Sequence, residues 1–98
     1  MKKVAFAVEQ TDELCKVSGD LDFTTAKEAL DRLGAMVGAS EQLQISFENV
    51  ASCNSAALAL MVELKGLARR AGHQVTFNQV PEGIQQLARV CQVEEIIA

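Results

Sequence analysis

The fold of this chain is decided by the stretch Val50-Ala-Ser-Cys-Asn-Ser-Ala-Ala-Leu-Ala-Leu-Met-Val62. It follows an alternating apolar segment, Leu43 to Phe47, which predicts a short buried strand. It leads into a segment with helical periodicity, from about Ser55 to Ala71. The pair Asn54-Ser55 suits a helix start, because its side-chain oxygens can accept hydrogen bonds from the free N–H groups of the first turn. A strand followed by a capped helix indicates an α/β protein.

Two alternating segments lie upstream of this stretch. Apolar and polar side chains alternate from Lys3 to Glu9 and from Glu13 to Ser18, and the turn cluster Gln10 to Asp12 separates them. This pattern predicts a β-hairpin. The segment Gly19-Asp-Leu-Asp22 is then expected to break the second strand.

The first predicted helix extends from Phe23 to Val37. Asp22 or Thr24 is suited to cap its start, and Gly38 is placed to end it as the glycine after the last turn. The apolar residues that share one stripe of this helix are Phe23, Ala26, Leu30, Leu33 and Val37.

The C-terminal third of the chain repeats the pattern of strand and helix. Gln74 to Asn78 alternates as a strand, and Pro81 is expected at the first position of a last helix. The predicted buried side of that helix is Ile84, Leu87, Ala88 and Cys91, and the apolar tail expected to dock on the core is Val93, Ile96 and Ile97. The order β-β-α-β-α-β-α predicts one α/β domain over residues 1–98, with a mixed sheet that contains parallel strands.

Charge and composition exclude several classes of function. The net charge is −4 and no basic run is present, which disfavours binding to nucleic acid or directly to anionic lipid. No apolar run approaches the roughly 20 residues of a spanning helix, so we expect no direct membrane insertion. The N-terminus lacks the apolar core of a signal peptide, which favours a cytoplasmic protein. Cys15, Cys53 and Cys91 show no CxxC spacing and are predicted to be buried free thiols.

The sequence offers little that could support catalysis. The glycines are scattered and form no phosphate-binding loop, and His73 is the single histidine. Asp20 and Asp22 lack a third metal ligand and are better explained as turn and cap residues. Ser55 would need a neighbouring base to act as a nucleophile. We therefore expect no enzyme activity, no cofactor and no metal.

Ser55 stands out for a geometric reason. At helical spacing, Leu58, Ala59 and Val62 fall on its side of the second helix, whereas the core stripe is Leu60, Met61, Leu64, Leu67 and Ala68. An apolar patch beside Ser55, rimmed by Lys65 and Arg69, predicts a docking surface. The alternative is that neighbouring elements cover Leu58 and Val62. A phosphate on Ser55 would add about −1.5 to −2 charges to this surface.

Four segments resemble the STAS domain family, which is named for sulphate transporters and anti-sigma-factor antagonists. They are Gly19-Asp-Leu-Asp22, Phe47-Glu-Asn-Val50, Asn54-Ser-Ala-Ala-Leu58 and Gly72-His-Gln-Val75. The family pattern at the helix start is commonly Asp-Ser/Thr-x-Gly-Leu, where the Ser or Thr can be phosphorylated. Ser55 matches that position, whereas Asn54 replaces the Asp and Ala57 replaces the Gly. The resemblance covers nearly the whole chain and implies a STAS-like single domain with Ser55 as a candidate phosphorylation site.

The resemblance also implies a partner. Within the family, the helix start and the short length are most similar to the cytoplasmic STAS subunit of Gram-negative phospholipid-transport ABC complexes. That similarity implies a non-enzymatic subunit that binds the transporter ATPase and lies at the inner membrane through this partner. The alternative is an anti-sigma-factor antagonist that a kinase switches at Ser55; a nucleotide-binding protein is a third class. The predicted partner-binding residues are Asp20, Asp22, Asn54, Ser55, Leu58, Ala59, Val62 and Lys65.

Overall fold

The structure is a computed structural model, and it describes residues 6–98. These residues form four strands and four helices. In chain order the elements are β1 (Phe6–Thr11), β2 (Leu14–Leu21), α1 (Ala26–Ala39), β3 (Gln42–Cys53), α2 (Ser55–Ala71), β4 (Gln74–Asn78), α3 (Glu82–Val90) and α4 (Glu94–Ile97). The strands pair in the order β1-β2-β3-β4; β1 and β2 are antiparallel, and the two other pairs are parallel. The predicted α/β fold with a mixed sheet is confirmed. The proposed start of the first strand at Lys3 lies outside the described residues.

One face of the sheet is covered and the other is not. Leu43 of β3 pairs with Val75 of β4 and both are buried, whereas the next pair, Gln44 and Thr76, is exposed. Because successive side chains of a strand point to opposite faces, the apolar set lies on a single face. The helices α1 and α2 pack on that face, and α2 is in contact with both α1 and α3.

Strand β3 is longer than the sequence predicted. The short alternating pattern ended at Phe47, but the strand continues to Cys53. Two register shifts against β2, at Lys16/Ser18 and at Gly19/Asp20, each leave one extra residue in β3. Such bulges break the alternation, which is why Ser46 and Phe47 are buried in succession and why polar residues follow.

The predicted break at Gly19 is also wrong. Gly19 has φ +89° and stays in the ladder opposite Val50, so β2 continues to Leu21. A positive φ is accessible to glycine without a steric penalty. Asp20 therefore lies at the end of a strand, and Asp22 begins the turn that follows.

Helix α1 begins three residues later than predicted and ends later too. Phe23 belongs to the preceding turn and is 73% exposed, so its assignment to the core stripe is wrong. The backbone N–H groups of Thr25 and Ala26 donate to the carbonyl oxygen of Asp22, at 3.2 and 2.9 Å, which closes that turn. Gly38 lies inside the helix rather than after it. The buried stripe of α1 is Ala29, Leu33 and Val37.

Helix α2 has the predicted bounds because both of its caps are encoded locally. The Asn54 side chain accepts a hydrogen bond from the Ala56 N–H, and Gly72 adopts a left-handed φ of 75°. The N–H of His73 then donates to the carbonyl of Ala68 at 2.8 Å, closing the helix end. The core residues Leu60, Met61, Leu64 and Ala68 are buried as predicted.

The C-terminal elements follow the prediction with two corrections. Strand β4 has the predicted bounds, but Pro81 precedes α3 instead of occupying its first position. Ile84 and Ala88 are buried, whereas Cys91 is exposed because the chain leaves the helix there. Part of the predicted apolar tail docks, with Ile97 buried.

The three cysteines are free and differ in exposure. Cys15 is buried, Cys53 is half-buried and Cys91 is exposed, so the prediction of three buried thiols holds for Cys15 alone. Burial raises the pKa of the Cys15 thiol to about 11, and the nearby Arg32 guanidinium lowers it by a smaller amount.

Candidate docking site

The carboxyl ends of β2 and β3 bring two distant segments of the chain together. Asp20 pairs with Ser52, and Leu21 pairs with Cys53, in the parallel ladder. The Ser52 hydroxyl donates to Asp20 Oδ1 at 2.9 Å, and the Asn54 N–H donates to the Leu21 carbonyl at 3.2 Å. The Gly19–Asp22 segment and the start of α2 therefore form one continuous surface, as carboxyl ends of adjacent parallel strands do.

Ser55 is the first residue of α2 and is exposed. The predicted position, at a helix start directly after the strand that contains Ile45, is confirmed. Asn54 Oδ1 accepts the N–H of Ala56 at 2.9 Å, and the Asn54 carbonyl accepts the N–H of Ala57 at 2.9 Å. Asn54 is thus the helix cap, and the Ser55 side chain projects from a fixed backbone.

The prediction that Leu58 lies on an exposed face is wrong. Leu58 is 7% exposed and belongs to the main hydrophobic core, and Val62 is half-buried against that core. Helix α2 contacts α1 on one side and α3 on the other, so its buried face is wider than a single stripe. Of the three apolar residues predicted on the side of Ser55, Ala59 alone is exposed.

An apolar groove opens between α1 and α2 beside Ala59. Its volume is about 410 Å³, and its lining consists of Phe23, Ala26, Lys27, Leu30, Ala56, Ala59, Leu60 and Glu63. Phe23 stands at its edge with most of its ring exposed to solvent. The sequence pattern does not identify Phe23 as a surface residue, because helical spacing extends the α1 stripe back through the turn. Asp22 and Thr24, which flank it, were the signal that a turn precedes the helix.

Asp22 organises the turn that carries Phe23. Its Oδ1 accepts hydrogen bonds from the Thr24 N–H at 2.8 Å and from the Thr24 hydroxyl at 2.6 Å. The hydrogen bond from the Thr24 side chain, followed by that from its backbone, holds the pKa of the Asp22 carboxyl below its usual value. Within the described residues, no cluster of three or more metal-ligating side chains exists, so Asp20 and Asp22 are structural partners of the turn and of Ser52.

Lys65 faces a different part of the molecule from Ser55. Its Nζ donates to the carbonyl of Val75 at 2.7 Å and to that of Ala98 at 3.0 Å, and it lies 5.4 Å from the centroid of the Phe77 ring. Burial lowers the pKa of this ammonium group. Lys65 therefore does not lie at the rim of the surface beside Ser55, contrary to the prediction. It links α2 to β4 and to Ala98. With Val62, it lines a separate open groove of about 750 Å³.

Comparison with protein families identifies the chain. The family model described as "Mlab, STAS domain" matches residues 6–98. The chain belongs to this STAS domain family. The STAS domain resemblance stated above is thereby confirmed over the part of the chain that contains the β2 end, the β3–α2 junction and the α1–α2 groove. No curated protein matches the sequence of this STAS domain.

Solved structures share the fold of this STAS domain. The anti-sigma factor antagonist SpoIIAA in its unphosphorylated form is 15% identical, with a TM-score of 0.70 over 96% of this chain and 86% of that chain. The Bacillus cell fate determinant SpoIIAA in its phosphorylated form is 14% identical, with a TM-score of 0.70 over 96% and 89%. An anti-sigma factor antagonist from Mycobacterium paratuberculosis is 22% identical, with a TM-score of 0.67 over 92% and 79%. At these identities the likeness concerns the fold alone.

Within residues 6–98 of this STAS domain, none of the helices combines the length and the apolar character that crossing a bilayer requires.

Proposed function

We propose that this STAS domain is a non-enzymatic subunit that binds the ATPase of a phospholipid-transport ABC transporter and supports its assembly and activity. The observation that carries the proposal is the match of residues 6–98 to the Mlab-type STAS family. The sequence resemblance of the Asn54–Leu58 segment to the STAS subunit of such transporters supports the same partner. The protein would then act in the cytoplasm and lie at the inner membrane through the ATPase.

The docking surface that we propose combines the start of α2 with the α1–α2 groove. Ser55 and Ala59 are exposed one helical turn apart, and Phe23 offers a large exposed ring at the groove edge. An apolar groove with an exposed aromatic residue and a polar rim has the anatomy of a protein–protein interface. Lys27 and Glu63 supply charges of both signs in the groove lining. Asp20, Asp22 and Asn54 hold the backbone of the surface, and Leu58 supports it from the core.

The test is the affinity of the purified protein for the purified ATPase subunit. Ala59→Glu places a carboxylate in the groove and should abolish binding, because an apolar contact cannot solvate an unpaired charge. Ala35→Glu is the matched control: Ala35 is exposed on α1 and does not line the groove. Glu63 lies four residues from Ala59, and Asp31 lies four residues from Ala35, so each variant adds one like-charge pair on its helix. Ala35→Glu also gains an opposite charge in Arg32, three residues before it. Equal binding by Ala59→Glu and wild type would refute the docking surface.

The absence of catalysis is part of the proposal and has its own test. The described residues offer no cluster that would hold a metal ion, and the sequence has no phosphate-binding loop. The purified protein alone should therefore not hydrolyse ATP or GTP. Turnover that copurifies with the protein and disappears in Ser55→Ala or Asp20→Asn would contradict the proposal.

A second candidate function is that of an anti-sigma-factor antagonist switched by phosphorylation. The observation that favours it is the exposed Ser55 at a helix start, in a fold shared with SpoIIAA in its phosphorylated and unphosphorylated forms. A phosphate there would lie at the N-terminus of α2, where the helix dipole favours negative charge, and would add charge to the docking surface. Phosphopeptide mass spectrometry of the protein from its native cells distinguishes the two functions. Modified Ser55, together with copurification of a kinase or anti-sigma factor instead of the ATPase, would favour this second function.

A further inference from the structure

We infer that Thr25 is a positioning residue, whose buried hydroxyl holds the Phe23 turn in the geometry that the docking partner recognises; this inference rests on the proposed function. Thr25 is 7% exposed and, with Ser46, is one of two polar side chains in the buried set of residues 6–98. Burying a hydroxyl group costs free energy of folding unless the group forms hydrogen bonds inside the protein.

The hydrogen bonds of Thr25 point backwards, away from the helix that it precedes. Its Oγ1 donates to the Asp20 carbonyl at 2.9 Å and accepts the Asp22 N–H at 3.0 Å. Although Thr25 occupies the cap position of α1, its side chain makes no capping hydrogen bond to that helix. The hydroxyl therefore fixes the turn between β2 and α1 and makes no side-chain hydrogen bond to the first turn of the helix.

The same turn connects the two sides of the docking surface. Asp20, whose carbonyl Thr25 holds, accepts the Ser52 hydroxyl at 2.9 Å. Leu21, the next residue, accepts the Asn54 N–H at 3.2 Å, one residue before Ser55. Thr25 thus lies at the end of a chain of contacts that relates the backbone of the Phe23 turn to the start of α2.

Because the Phe23 ring is exposed, the rigidity of its turn can affect how strongly a partner binds. Phe23 lies between Asp22 and Thr24, and the Asp22 carboxylate binds both the N–H and the hydroxyl of Thr24. The residues on both sides of Phe23 are held, while Phe23 itself is 73% exposed. An aromatic side chain on a fixed backbone loses little conformational freedom when a partner binds, which is the advantage of preorganisation. Loss of the Thr25 hydroxyl should therefore weaken partner binding in addition to destabilising the domain.

The decisive variant is Thr25→Val, which keeps the shape of the side chain and removes its hydroxyl. We expect its affinity for the purified ATPase subunit to fall about tenfold, because the unrestrained Phe23 turn would have to be ordered when the partner binds. Thr25→Ser keeps the hydroxyl and should bind like wild type. Ser46→Ala is the matched control, because it removes the other buried hydroxyl, which accepts the Glu48 N–H at 3.3 Å within β3. It should also bind like wild type.

Residue-resolved hydrogen exchange provides a readout that needs no partner. The Asp22 amide, bonded to Thr25 Oγ1, should be protected in wild type and in Thr25→Ser, and should exchange faster in Thr25→Val. An unprotected Asp22 amide in wild type would overturn the inference even if Thr25→Val fails to fold. If Thr25→Val binds like wild type while Ala59→Glu does not, the positioning role is refuted and the docking surface stands. If both variants bind like wild type, the proposed docking surface fails with it.

Discussion

Replacing Leu58 by alanine tests the orientation of α2, on which the docking surface depends. Leu58 is 7% exposed and lies in the core, whereas the next residue, Ala59, is exposed in the groove. Consecutive helical residues point in directions about 100° apart, so a rotation of α2 by about that angle would bring Leu58 to the exposed direction that Ala59 occupies. We expect Leu58→Ala to lower stability strongly and Ala59→Glu to leave it almost unchanged.

The magnitude follows from the burial of Leu58. The substitution removes about three carbon groups, each worth about 0.8 kcal/mol when buried, which gives about 2.4 kcal/mol. The cavity left behind raises the expected loss in unfolding free energy to about 3 kcal/mol, within the range of about 2–5 kcal/mol for such changes. For a domain of 98 residues, an unfolding entropy of about 2.1 cal/mol/K per residue converts this loss to a fall in Tm of about 15 °C.

Ala59→Glu is the contrasting variant. An exposed substitution usually costs within about 0.5 kcal/mol, and repulsion from Glu63 four residues later adds about 0.2–0.5 kcal/mol. The same conversion gives a fall in Tm of at most about 5 °C. The assay is thermal unfolding followed by circular dichroism, with urea unfolding to obtain the free energy. Leu64 has no exposed surface, so Leu64→Ala gives the stability loss expected for a fully buried leucine.

One result would refute this account of α2. If Leu58→Ala melts within about 3 °C of wild type while Ala59→Glu unfolds, the helix presents Leu58 to solvent and Ala59 to the core. The groove beside Phe23 would then not contain Ala59, and the docking surface would have to be drawn through Leu58 and Val62 instead.

Three further predictions concern single residues. In native protein, iodoacetamide should modify the exposed Cys91 rapidly and spare Cys15, whose pKa is raised to about 11 by burial; mass spectrometry with and without denaturant checks this. Gly72→Ala should lower the unfolding free energy by about 1–2 kcal/mol, because φ of 75° is unfavourable with a Cβ although nothing lies within 4 Å of it; urea unfolding measures the loss. Asp22→Asn should lower Tm near neutral pH but not in acid. The folded-state pKa of Asp22 is lowered chiefly by the Thr24 side chain, so its contribution is present above the unfolded-state pKa of about 3.9 and is lost as pH falls through the folded-state value; melting curves from pH 2 to 7 test the convergence.

The elements that could be predicted from the sequence are those with local signals at both ends. Helix α2 has Asn54 at its start and Gly72 at its end, and both residues act there through backbone hydrogen bonds with short sequence separation. Strand β4 is bounded by the turn after Gly72 and by the loop before Pro81. In these places the residue types and the tertiary structure favour the same conformation.

The errors occur where the partner of a segment is distant in sequence. The end of β3 pairs with the end of β2 through two bulges, which no period in the Glu48–Cys53 segment encodes. Leu58 was assigned to the surface because the helical pattern identifies one stripe, whereas contact with both α1 and α3 buries a wider face. Phe23 continues the stripe of α1 in sequence, but the turn held by Asp22 ends that continuity. The location of the candidate site at the start of α2 was therefore predictable, and its exposed apolar side chains were not.

The sheet order also has a consequence for how the chain folds during synthesis. Each strand after β1 pairs with the strand that precedes it in the chain. In the two parallel pairs, one helix connects the paired strands. A chain that emerges from the ribosome from its N-terminus can thus add each strand to a neighbour that is already available. Among the four strands that the structure describes, β1 alone has to wait for a partner that is synthesised later, the adjacent β2. The free edge of β3 is exposed until β4 pairs with it, so a pause in translation within α2 would leave β3, instead of β4, as the edge strand.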